Sequence, residues 1–176
     1  MRPAPYDAKA AFDQALMQDH LQAWLDDLAP PYLGYQQLVA GLKTYREIVG
    51  RGGWSSVPTG PSMKMGVDDP RTPALKARLA AEDPQAAKSF ADESAATPPS
   101  ADPLMFDSAL DEAVKRFQIR HGLDATGVVD RSTLTALNVS AETRVDQIIA
   151  NMERWRWAPP VMPTDRVQVN IEAAIL

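Results

Sequence analysis

The chain contains no cysteine. That absence removes disulfide bridges, thiolate metal sites and a cysteine nucleophile together. Only two histidines are present, His20 and His121. They lie too far apart in sequence for a paired-ligand motif, so no metal and no cofactor are expected. No Gly-x-Ser-x-Gly elbow occurs, and Gly50-Arg51-Gly52-Gly53 lacks both the preceding strand and the following Lys-Ser or Lys-Thr of a phosphate loop. The carboxylate pairs Asp26-Asp27 and Asp68-Asp69 read as a solvated helix end and a cap rather than as acid and base. Catalysis by this chain is therefore not expected. Apolar runs approaching the ~18–20 residues of a membrane span are absent, and the opening Met1-Arg2-Pro3-Ala4-Pro5 has no apolar leader. Read alone, that fits a cytoplasmic chain or an exported one whose leader has been removed. Positive charge is also short: 18 Lys and Arg against 23 Asp and Glu leave a net charge of -5, which speaks against nucleic acid as the main partner.

What is present is helical patterning, and it predicts a mainly α fold. With 176 residues, 45% of them hydrophobic, one medium or two small domains are possible. A first helix is predicted over Tyr6–Leu28 with Phe12, Leu16, Met17, Leu21, Trp24, Leu25 and Leu28 on one face, His20 packed beside them, and Pro30-Pro31 as its stop. A second runs from Leu33 to Val49 through Tyr35, Leu38, Val39, Leu42, Tyr45 and Val49, and these two helices are expected to pack as an antiparallel hairpin. A short helix follows, with Pro70 or Pro73 at its start and Leu75 and Leu79 inward. The stretch from Glu82 to Pro103 is so rich in Ala, Pro, Ser, Thr, Asp and Glu that no order is expected, with Phe90 as its one anchor. Asp107 then caps a helix carrying Leu110, Ala113, Val114, Phe117 and His121; Gly122 stops it and Leu123 folds back on its last turn. Gly127-Val128-Val129 is extended, and Asp130 caps a shorter helix that turns Leu134 and Leu137 inward, with Thr133 answering the cap. Ser140 caps a further helix with Val145, Ile148, Ile149, Met152 and Trp155, stopped by Pro159-Pro160. Arg166–Ile171 alternates as one strand without a partner, so the chain reads as cut.

Two sets of residues resemble known families. The order Ala113-Val114, Phe117-Gln118, His121-Gly122-Leu123, Gly127, Thr133-Leu134, Leu137-Asn138 resembles the three-helix peptidoglycan-binding module of bacterial cell-wall enzymes. It departs where Thr126 precedes Gly127 and Asp130 stands near the place of a second glycine, which bears on any ligand contact made by the turn backbone. The words Tyr35, Leu38, Leu42, Tyr45-Arg46, Gly52-Gly53-Trp54 and Asn151-Met152-Glu153-Arg154-Trp155-Arg156-Trp157-Ala158-Pro159 resemble the scaffold and connector of the large periplasmic murein L,D-transpeptidases, whose catalytic β-sandwich opens with a strand like Val169-Asn170-Ile171.

That resemblance implies a helical hairpin, a three-helix bundle, a connector helix and one orphan β-strand. Its divisions are a scaffold remnant at 1–62, a module at 63–139 with a flexible insertion at 82–104, and a connector at 140–176. The cysteine-bearing catalytic domain would be missing. It further implies a periplasmic location, with peptidoglycan and the absent catalytic domain as partners. Arg116 and Arg120 lie one helical turn apart, with His121 beside them and Arg131 opening the next helix; with Gln118 they form the candidate ligand set for stem-peptide carboxylates. The competing reading pairs Arg116 and Arg120 with Glu112 and neighbouring acids on a wet face, worth ~0.3–0.5 kcal/mol each. Trp155 and Trp157 suit either sugar stacking or, by preference, interdomain packing. The rival functions are a helical interaction or spacer module without wall binding, and a helix-turn-helix, which an acidic chain makes poor.

Overall fold

The computed structural model describes residues 7–96 and 102–158, and is mainly α. Among the described residues there are eight helices: α1 Ala8–Met17, α2 Leu21–Asp27, α3 Leu33–Gly50, α4 Thr72–Glu82, α5 Pro84–Ala96, α6 Ser108–Arg120, α7 Arg131–Leu137 and α8 Ala141–Arg156. The strand expected over Arg166–Ile171 lies outside them.

Three helices end in the same way. After α3 and α6, a residue of positive φ, Gly52 or Gly122, is followed by an N–H that reaches back to the third-last residue of the helix: Gly53 N to Ile48 O at 2.9 Å and Leu123 N to Gln118 O at 2.8 Å. These are Schellman stops. The third is Asp19, at φ 56, with His20 N donating to Ala15 O at 2.9 Å. It divides the single helix expected over Tyr6–Leu28 into α1 and α2. Aspartate tolerates the left-handed region better than most side chains, so a stop sits where no glycine announces it.

The expected hairpin of the first two helical segments is replaced by a different one. The principal partner of α3 is α8. Ideal side-chain positions place Gly34 against Trp155, Gly41 against Ile148 and Gly53 against Ala141, so residue numbers rise along α3 as they fall along α8. The pair is antiparallel. A Cβ on Gly34 would lie 2.8 Å from Trp155 Cζ2, so only glycine admits the indole there. Tyr32 closes the same end, its ring 5.1 Å from that of Trp155.

Between α3 and α8 the chain builds a second unit. Its core joins Val57, Met63, Leu75, Leu79, Ala86, Phe106, Leu110, Val114, Phe117, Val129 and Leu137. Met63 and Val129 exchange backbone hydrogen bonds at 3.1 and 2.9 Å, and Phe106 N donates to Val67 O at 3.1 Å, so short antiparallel contacts stitch the loops across the helices. The stretch 82–104, expected to stay unordered, carries α5. Ala86 is fully buried and Phe90 packs on the core. Alanine is the strongest helix former, and one apolar contact per turn at 86 and 90 suffices to dock such a helix.

Two contacts fasten the segment leaving α3 to the segment that leads into α8. Asn138 accepts from Val57 N at 2.8 Å and donates to Val57 O at 3.0 Å. Trp54 Nε1 donates to Val139 O at 3.0 Å.

Candidate functional site

The candidate residues lie on α6, on the turn after it and at the start of α7. Asp107 caps α6 by accepting from Leu110 N at 2.8 Å, and Asp130 caps α7 by accepting from Thr133 N at 2.8 Å. The Thr133 N–H, followed by the Ser132 hydroxyl, holds the Asp130 carboxyl below the usual carboxylate range.

Gln118 points inward. It is 1% exposed. Its Nε2 donates to Val128 O at 2.9 Å and to Thr133 Oγ1 at 3.1 Å, with Thr126 Oγ1 at 3.3 Å. Its Oε1 accepts from Gly127 N at 2.9 Å. Both ends of the amide are consumed in clamping α6 to the turn and to α7, so Gln118 shapes the site without facing a ligand. Gly127 has φ +73, and a Cβ there would fall 2.1 Å from Asp111 Oδ1. The turn that departs from the family's pattern at Thr126 is thus closed by glycine at its tightest point.

The cations meet carboxylates from the end of α4, not Glu112. Arg116 Nε reaches Asp83 Oδ2 at 3.1 Å and Arg120 Nη1 reaches the same oxygen at 3.2 Å. His121 Nε2 lies 2.9 Å from Glu82 Oε1. Beneath them Arg78 Nη1 binds Glu82 Oε2 at 2.9 Å and Tyr45 donates to Glu82 Oε1 at 2.8 Å. Arg78 is 1% exposed; its Nε donates to Leu137 O at 2.7 Å and its guanidinium lies 3.7 Å from the Trp54 ring centroid. Arg131 stands exposed at the start of α7, apart from this network. Trp155 is taken up by the Gly34 notch, whereas Trp157 is 83% exposed, with Nε1 3.3 Å from Glu153.

Glu82, Asp83, Arg78 and Tyr45 were not among the sequence candidates. A signal for two of them existed: Thr72, Leu75, Arg78 and Glu82 recur at helical spacing, which puts an i, i+4 ion pair on the buried stripe of α4. Their electrostatics follow from burial. Desolvation pushes the Glu82 carboxyl up, but the His121 hydrogen bond, the Arg78 charge and the Tyr45 hydroxyl outweigh it and bring it down to about 2. Burial, then the neighbouring Glu82, raises the Tyr45 phenol. At Asp83, burial is likewise outweighed by Arg116, the Gln85 N–H and Arg120, and the carboxyl stays below its ordinary range.

A carboxyl lower in the folded than in the unfolded chain stabilises fully above its unfolded value, here 4.5, and loses that contribution as the pH falls towards about 2. The Glu82 share is on the order of 3 kcal/mol. Chemical denaturation between pH 5 and pH 2.5 is expected to show stability falling across that window, with a flatter limb for Glu82→Gln. Equal acid slopes for the two proteins would place the loss elsewhere.

Against this geometry stand the comparisons with known proteins. No curated protein matches the chain. None of the described helices is long and apolar enough to cross a membrane. The peptidoglycan binding domain family model matches residues 90–137, the span from within α5 through α6 and the clamped turn to the last residue of α7. A peptidoglycan binding domain is therefore found in this chain, which indicates peptidoglycan as its partner and a cell-wall-associated location.

Proposed function

We propose that the chain is the wall-binding and scaffold part of a murein L,D-transpeptidase, acting in the periplasm to hold a cysteine-dependent catalytic domain against its substrate. The observation that carries wall binding is the match of the peptidoglycan binding domain model to 90–137, over helices whose caps and Gln118 clamp are all satisfied. The transpeptidase parentage is supported by the run Asn151–Pro159 and by the words around Tyr35 and Trp54. On this reading 1–62 is scaffold, 63–139 the module and 140–176 the connector. The ligand face is made by Arg116, Arg120 and His121, with Arg131 beside it and Gln118 behind it. Arginine suits that task because its fork binds a carboxylate bidentately.

The test is co-sedimentation with isolated peptidoglycan sacculi. Removing Arg116 and Arg120 alone would leave Asp83, 8% exposed, as a buried charge without its cations. The informative variant is therefore Asp83→Asn/Arg116→Gln/Arg120→Gln, which neutralises the cluster as a unit. Wild type is expected to sediment, and the triple variant to bind at least about tenfold more weakly while keeping its helicity. Equal binding by both would move the ligand face away from α6. No binding by wild type would favour a helical spacer without wall affinity, a reading supported by the internal pairing of both arginines.

A further inference from the structure

We propose that Asp83 is an internal counter-ligand of the Arg116–Arg120 pair, a carboxylate of the chain itself that answers these cations from the buried side and holds the wall affinity down. This rests on the reading of that face as the binding face. The geometry is that of a recognised anion. One oxygen, Asp83 Oδ2, receives Arg116 Nε at 3.1 Å and Arg120 Nη1 at 3.2 Å, while the other, Oδ1, accepts from Gln85 N at 2.9 Å. Two arginines one turn apart converge on a single oxygen from another helix.

The two acids at the α4–α5 corner are not equivalent. Glu82 is locked by Arg78, Tyr45 and His121, all three at 2.8–2.9 Å, and only distantly approached by Arg120 at 3.9 Å. Among the described residues Asp83 is held by the candidate arginines and its own helix cap. The arginines still reach the surface: their side chains are 28% and 38% exposed against 8% for Asp83. A carboxylate arriving from outside therefore meets two cations whose charge is partly answered from behind. Asp83 sets how strongly they attract it.

Asp83→Asn removes the anion and, because asparagine caps as well as aspartate, preserves the bond from Gln85 N; its Nδ2 then faces the two guanidinium donors, so Asp83→Ser, which caps without that amide, is measured beside it. Binding to sacculi is expected to tighten by about fivefold or more, because one anion facing the cations is removed. Sacculi whose carboxylates have been converted to amides should show no such gain. Asp83→Ser, which also caps, should tighten binding in the same direction, and thermal melts of both variants establish that they are folded. If wild type sediments and neither folded variant binds more tightly, Asp83 is a structural ion pair, and the inference fails while wall binding stands. If wild type, Asp83→Asn and Asp83→Ser all stay in solution, the wall-binding reading fails and this inference with it. Tightening that survives amidation would mean general loosening of the corner, and would also overturn it.

Discussion

Replacing Arg78 by methionine is expected to destabilise the protein by roughly 3–5 kcal/mol, the cost typical of removing one member of a buried ion pair. Methionine fills similar volume, so the loss is electrostatic rather than a cavity. Glu82, whose side chain is 5% exposed, would keep Tyr45 and His121 but lose its buried cation. The Leu137 carbonyl would lose its donor, and the Trp54 ring the cation lying 3.7 Å above it. Against a typical total of ~5–15 kcal/mol this is a large fraction of the fold's stability. The double variant Arg78→Met/Glu82→Gln should recover a substantial part, because neutral glutamine still accepts from Tyr45. Urea denaturation of the two single variants and the double gives the coupling energy directly. A loss below about 1 kcal/mol for Arg78→Met, or additive effects in the double, would contradict the role assigned to this pair.

Gln118→Leu should cost about 2–4 kcal/mol, since each buried polar group left without a partner contributes ~1–3 kcal/mol. Leucine keeps the bulk but leaves Gly127 N without its acceptor and Val128 O with only the longer bond from Thr133 Oγ1 at 3.4 Å. Hydrogen exchange at the Gly127 amide is the sensitive readout: it is expected to accelerate well before global unfolding, as the turn opens locally. Gln118→Glu should be no rescue. A carboxylate retains the acceptor for Gly127 N but presents oxygen to the Val128 carbonyl. Unchanged exchange at Gly127 in Gln118→Leu would mean the turn is held by its own backbone.

What the sequence showed and what it hid follow one division. Features set by a few neighbouring residues were legible: the caps Asp107, Asp130 and Ser140, the stop at Gly122 with Leu123, and the inward stripe Leu110, Val114, Phe117. Features set by distant contacts were not. Nothing local announces that α3 pairs with α8 rather than with its neighbour α2, and the glycines that receive Trp155 and Ile148 read as mere interruptions of an apolar face. An alanine-rich segment looks unable to order itself until Ala86 and Phe90 find a core made elsewhere. The partners of the candidate site residues were hidden for the same reason. On α6 alone, Arg116, Gln118 and Arg120 are all polar and look alike. The fold sends Gln118 inward and brings Asp83 to Arg116 from 33 residues away, and to Arg120 beside it. An arginine on α4 reads as a wet residue unless its place on the Leu75 stripe is weighed above its charge.

The antiparallel run of α3 along α8 has a mechanical consequence. Tension applied between the start of α3 and the end of α8 would not shear the two helices past each other. It would peel them apart from the Gly34–Trp155 end, breaking one notch at a time towards Gly53 and Ala141. The force would reach the Trp54–Val139 and Val57–Asn138 fastenings last. A wall-binding unit carried in this way is shielded from pulling by a zipper that yields first and can close again when the load is released.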